Sequence, residues 1–133
     1  MYAISTVAAP RGARVGDRLR TADLGRRPVR RLAATALLAP GRGGLDAYRA
    51  SLDSAADAFA AWDGIVVTIE AGDEATHRLL IVDRYRQVYA VYDSADPDGL
   101  PSTHEVEEWF RFLATACPEC GVLDDPTRTG PTP

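Results

Sequence analysis

The sequence predicts a mixed α/β domain, one sheet of parallel and antiparallel strands flanked by helices. Three observations carry this. Four short runs of apolar or β-branched residues have strand length. One long segment of helical period separates the first run from the second, which makes a βαβ unit with parallel strands. The last two runs are joined by only residues 84–87, the length of a hairpin link, and a second helical stripe follows them. At 133 residues the chain is expected to be one domain.

The elements follow in order. LAATALLAP, residues 32–40, is an apolar run closed by Pro40 and a glycine-rich turn, as in a buried strand. Leu45, Tyr48, Leu52, Ala55, Phe59 and Trp62 then recur at helical spacing, with Asp and Arg on the opposite face. Asp63-Gly64 stops that helix. GIVVTIE, residues 64–70, is β-branched and reads as the second strand. AGDEATH is a loop or a single helical turn, and RLLIVD, residues 78–83, is the third strand. In QVYAVYD, residues 87–93, Val88, Ala90 and Tyr92 alternate with Tyr89 and Val91, the period of the fourth. The last helix opens with a capping signature: Ser102 or Thr103 caps, and Glu105 to Glu107 lie in the first turn. Its apolar stripe is Val106, Trp109, Phe110, Leu113 and Cys117, and Pro118 ends it.

Charge is unevenly placed. The chain carries −4 overall, but residues 1–31 hold eight Arg against Asp17 and Asp23, which gives +6 there and −10 over the rest. Every basic residue is Arg. Guanidinium groups suit bidentate pairing with carboxylates, so the basic segment is expected to lie on the acidic body or to form an arm. No aromatic residues interleave those arginines, which argues against nucleic-acid binding. MYAISTVAAP lacks the basic start of a signal peptide, and no stretch approaches the roughly 20 apolar residues a membrane span needs. A cytoplasmic protein with no membrane partner is the expectation. Residues 1–14 and 124–133 read as tails around a domain of residues 15–123.

The order of elements resembles the thioredoxin-like superfamily. The opening VGDRLRTADLGRRPVRRL resembles its redoxin or peroxiredoxin-like branch, through Val15-Gly16-Asp17 and then Gly25 and Val29 before the first buried strand. The resemblance spans about residues 15–117, and implies a three-layer domain in which a βαβ unit and a β-hairpin form a mixed sheet between helices. It also implies where chemistry would sit. Such proteins carry Pro-x-x-x-Thr-x-x-Cys between the first strand and its helix, because backbone N–H groups and the helix dipole stabilise a thiolate there. Here Pro40 is present, but Gly44 stands at the threonine position and Ala47 at the cysteine position. The family's cis-proline before the third core strand is replaced by Thr76-His77-Arg78. The usual nucleophile is therefore lost.

Both cysteines lie elsewhere, in Cys117-Pro118-Glu119-Cys120-Gly121. A two-residue spacer suits a reversible disulfide. The position at a helix C-terminus, with Glu119 between the thiols, raises a thiol's pKa and works against thioredoxin-type reactivity. Cys-Pro-x-Cys-Gly also looks like one knuckle of a zinc ribbon. A structural zinc needs four ligands, so a second chain would have to supply the other pair. A third reading makes Cys117 a small core residue beneath Leu113 and Cys120 an ordinary thiol. All three stay open.

Weaker candidates complete the set. Gly41-Arg42-Gly43-Gly44 could hold an anion with bare N–H groups and the Arg42 guanidinium, though glycine-rich turns before helices are common for steric reasons. His77 and His104 read as surface or capping histidines, and Asp83 and Asp93 as turn caps at strand ends. Asp73-Glu74 lack companions for a divalent cation, and no Gly-x-Ser-x-Gly elbow occurs. The leading functional expectation is a redoxin-related oxidoreductase in which Cys117 and Cys120 exchange with a protein thiol or disulfide partner, without a cofactor. The competing one is a non-enzymatic module whose cysteine pair binds zinc or bridges a homodimer.

Overall fold

The computed structural model describes residues 7–20 and 33–115. Two short strands, β1 (Val7–Ala8) and β2 (Arg18–Leu19), pair in parallel around a 3-10 turn at Pro10–Gly12. The main sheet contains β3 (Ala34–Ala39), β4 (Gly64–Thr68), β5 (His77–Asp83) and β6 (Val88–Ser94). Its order is β4-β3-β5-β6, with β3 and β4 parallel and the other neighbours antiparallel. The helices are α1 (Asp46–Ser54), α2 (Ala56–Ala60) and α3 (Thr103–Thr115). The chain is thus a mixed α/β protein.

The two faces of the sheet are sealed differently. Ala34, Ala36 and Leu38 of β3 share one face with Leu79 and Ile81 of β5. Leu52 of α1, Phe59 of α2 and Val106, Phe110 and Leu113 of α3 are buried on that face. Phe59 meets Phe110 edge to face, with ring centroids 5.0 Å apart. On the other face Leu37, Leu80, Val82 and Val88 are buried with Ala13 and Leu19 of the N-terminal segment. All three described helices therefore lie on one face, where the sequence leads one to expect helices on both. β3 is buried along its whole length and apolar but for Thr35, because it is central and covered on both faces.

Arg78 fastens the N-terminal segment. Its guanidinium donates to the carbonyls of Pro10 and Ala13 and forms a two-pronged pair with Asp93, at 2.8 and 3.0 Å. At the opposite end of the sheet, Val88 N–H donates to Asp17 O, Gly16 N–H to Val88 O and Leu19 N–H to Arg86 O.

Two elements differ from their sequence pattern. The helical period over residues 45–62 is cut at Ala55, whose backbone leaves helical geometry and separates α1 from α2. In β6 the ladder shifts, so that Ile81 pairs with Ala90 but Val82 pairs with Val88. Tyr89 is the extra residue of a β-bulge. It joins Ala90 on the helix-covered face, while Val88 and Val91 pack on the other, so the strict alternation expected across residues 88–92 is broken. The α3 cap is as the sequence predicts: Glu105 N–H donates to Ser102 Oγ at 3.1 Å. No helix among the described residues is long and apolar enough to cross a membrane.

Candidate functional site

The corner between β3 and α1 is where the family resemblance would place chemistry. Pro40 to Leu45 form this turn, and residues 72–77 pack against it. Gly41 N–H donates to His77 Nδ1 at 2.8 Å, Arg42 N–H to Glu74 O at 2.8 Å and Gly72 N–H to Pro40 O at 2.9 Å. A side chain at Gly41 would not fit, because a Cβ there would lie 2.3 Å from Thr76 O. No cis peptide bond occurs among the described residues.

Arginines clamp this corner from outside. Arg11 donates to the carbonyls of Pro40 and Glu70 and pairs with Glu74 at 3.0 Å. Arg42 donates from its guanidinium to Asp73 O at 3.1 Å. Gly43 and Gly44 turn the chain with φ of +89° and +73°, where a side chain would be strained. Leu45 precedes α1 and offers no side-chain cap, and Asp46 already supplies an anionic group to the helix's first turn. Arg42, Gly43 and Gly44 therefore work as a turn in this structure, with Arg42 bound to the facing loop. Ala47, on the first turn of α1, is exposed and carries no nucleophile.

Of its two sequence readings, surface or capping, His77 takes the capping one: it is 5% exposed and accepts a buried hydrogen bond from the Gly41 N–H of the β3–α1 turn. That bond requires a lone pair on Nδ1. The signal was in the sequence: residues 77, 79 and 81 share one face of β5, and Leu79 and Ile81 are core residues. His104 is exposed, and its Nε2 lies 3.8 Å from Glu108.

Asp83 closes β5 as a turn cap. Its Oδ1 accepts from Tyr85 N–H at 2.8 Å and Gln87 N–H at 2.9 Å. The side chain is buried and Oδ2 has no hydrogen-bond partner among the described residues. Burial pushes this carboxyl above its ordinary value, although the two N–H groups and the charges of Arg18 and Arg84 pull it down.

A polar network joins the helices to β6. Trp109 Nε1–H donates to Tyr92 Oη at 2.8 Å, and Tyr92 O–H to Glu105 at 3.0 Å. Tyr48 O–H donates to Pro101 O at 2.6 Å. Burial, with the Glu105 carboxylate nearby, raises the pKa of both tyrosines. These hydroxyls are satisfied and tie α1 and β6 to α3.

Cys117 and Cys120 lie outside the described residues, so the geometry of the pair, as redox couple or as zinc ligands, is not part of the fold described above. Among the described residues no group of three or more His, Cys, Asp or Glu side chains could hold a metal ion. Searches of family models, curated proteins and solved structures return no match to this chain.

Proposed function

We propose that the protein is a thioredoxin-like domain, related to redoxins, whose β–α corner is chemically silent and whose thiol chemistry belongs to Cys117 and Cys120. The sheet order supports the fold assignment: a parallel βαβ pair, β3 and β4, is extended through the antiparallel strands β5 and β6 and closed by α3. One observation carries the silent corner. The turn that would face a reactive thiol presents Ala47 on the helix, and its Gly41 and Arg42 N–H groups are bonded to His77 and Glu74. Thiol chemistry must then come from the only cysteines in the sequence.

In that role one thiolate attacks a partner disulfide and a mixed disulfide forms as the partner's first sulfur leaves as thiolate. The second cysteine displaces the partner's remaining sulfur. The pair ends oxidised and the partner reduced by two electrons and two protons. The test is a thiol-dependent reductase assay with intact-mass analysis. Cycling protein should gain and lose two protons per chain, and Cys117→Ser should abolish turnover with the circular dichroism spectrum unchanged. Turnover that survives Cys117→Ser refutes the redox role.

A further inference from the structure

Among the described residues β4 is an edge strand: β3 is its neighbour on one side and no described strand lies on the other. Ile69 N–H donates inward to Leu38 O. Because N–H and C=O directions alternate along a strand, Ile65 and Val67 also face β3, and Gly64, Val66 and Thr68 direct theirs outward. The strand has no charge and no proline, and all four of its side chains, from Ile65 to Thr68, are half-buried.

The other edge is protected in the ways that natural sheets use. β6 carries a bulge, is bonded near its start to Gly16 and Asp17, and holds Asp93 in an ion pair. Among the described residues β4 has none of these devices. It is also the more apolar of the two, with Ile65, Val66 and Val67 in sequence.

Charge selects what fits. Asp63 and Glu70 flank the strand at its two ends, are both exposed, and have no ion-pair partner among the described residues. Residues 33–115 hold six Arg against fourteen acids. A second copy would bring the same two carboxylates to the same seam. A strand with Arg or Lys at each end would neutralise both. We propose that the outer edge of β4 docks an extended, basic segment of a partner protein, added as a fifth strand through the backbone of Gly64, Val66 and Thr68. The segment has an uncharged β-branched middle and cationic ends about 23 Å apart, the length of seven extended residues.

The test titrates the full-length, 15N-labelled chain at low salt with two synthetic peptides. One is Arg-Thr-Val-Thr-Val-Thr-Val-Arg, and the other has Glu at both ends. The arginine peptide should shift the amide resonances of Gly64, Val66 and Thr68 and bind roughly tenfold or more tighter than its counterpart, a margin that added salt reduces. Val66→Pro removes one outward N–H and leaves the β3 ladder whole, since proline is tolerated on an edge whose N–H faces solvent. It should lose the binding. A second variant, Asp63→Asn with Glu70→Arg, changes only exposed groups, and Asn suits the positive φ of 57° at Asp63. It should reverse the preference in favour of the glutamate peptide, which keeps the test sharp if Val66→Pro does not fold. Absence of binding, equal binding of the two peptides, or shifts confined to other strands overturns the proposal. Self-association that Val66→Pro abolishes and that blocks the peptide also overturns it, and gives the edge to a second copy.

Discussion

His77 and Asp83 cap the two ends of β5, and both are buried for reasons of hydrogen bonding. His77 is the acceptor for the Gly41 N–H, which has no water to turn to. Leaving such a donor unpaired costs about 1–3 kcal/mol, so the histidine fixes the β3–α1 turn whether or not the corner has any chemistry. Asp83 has a different consequence, one of pH. Its carboxyl is raised above the ordinary value of 3.8 by burial, so the folded state binds this proton more tightly than the unfolded chain does. Its contribution to stability is then fullest below that ordinary value and declines as pH rises through the raised folded one. Asp83→Asn, which keeps an acceptor for the Tyr85 and Gln87 N–H groups but does not titrate, supplies the reference. Urea midpoints for the two proteins should diverge with pH, wild type losing ground to the variant as pH rises above the ordinary carboxyl value of 3.8. A difference constant across that range would mean that the carboxyl is not desolvated.

The elements divide by how locally they are determined. α3 begins where Ser102 accepts from Glu105 N–H, and its Val106, Phe110 and Leu113 face the sheet. Both features are local, and both are visible as a cap followed by a stripe. Ser102→Ala should therefore cost about 1 kcal/mol, read as a lowered thermal midpoint with enhanced amide exchange in the first turn of α3. Loss of stability without local exchange would place the cost elsewhere. α1 and α2 show the limit of such reading. The stripe from Leu45 to Trp62 is continuous in sequence, yet Ala55 leaves helical geometry, and the two pieces bury Leu52 and Phe59 separately. The bulge at Tyr89 has the same character. Nothing within residues 87–93 announces an extra residue, because a bulge is defined by what lies opposite, at Ile81 and Val82.

For the molecule as a whole, the question is what covers the second face of the sheet. The connection between β4 and β5 contains no helix, and Leu37, Leu80, Val82 and Val88 are sealed with help from Ala13 and Leu19. Arg78 holds that cover through the Pro10 and Ala13 carbonyls, at the rim of the sheet where Asp93 neutralises it. Arg78→Met keeps the aliphatic stem but removes every donor. It should cost about 1–3 kcal/mol, and hydrogen exchange should rise at Gly16 and Leu19 before it rises in β3 or β5. Uniform acceleration across the sheet would show that the segment and the sheet open as one unit. The uneven charge of the chain bears on the same scale: a net acidic body leaves the uncharged β4 edge bounded by Asp63 and Glu70, which is why a basic strand suits it better than a second copy.

The four strands of the main sheet and α3 were legible in the sequence, because each is written in a local period: a mostly apolar run in β3, β-branched residues in β4, a capped stripe in α3, whereas the short β1 and β2 carry no such period. The tertiary structure alone decided the break at Ala55, the bulge at Tyr89, the burial of His77 against Gly41 and the packing of Ala13 and Leu19 on the second face of the sheet. Each of these depends on a partner far away in the chain, and a local pattern holds no record of which strand or loop will lie opposite. The thiol chemistry proposed for Cys117 and Cys120 is a reading of sequence. The edge position of β4 among the described strands is the reverse, a feature that appears only once the strands are in order.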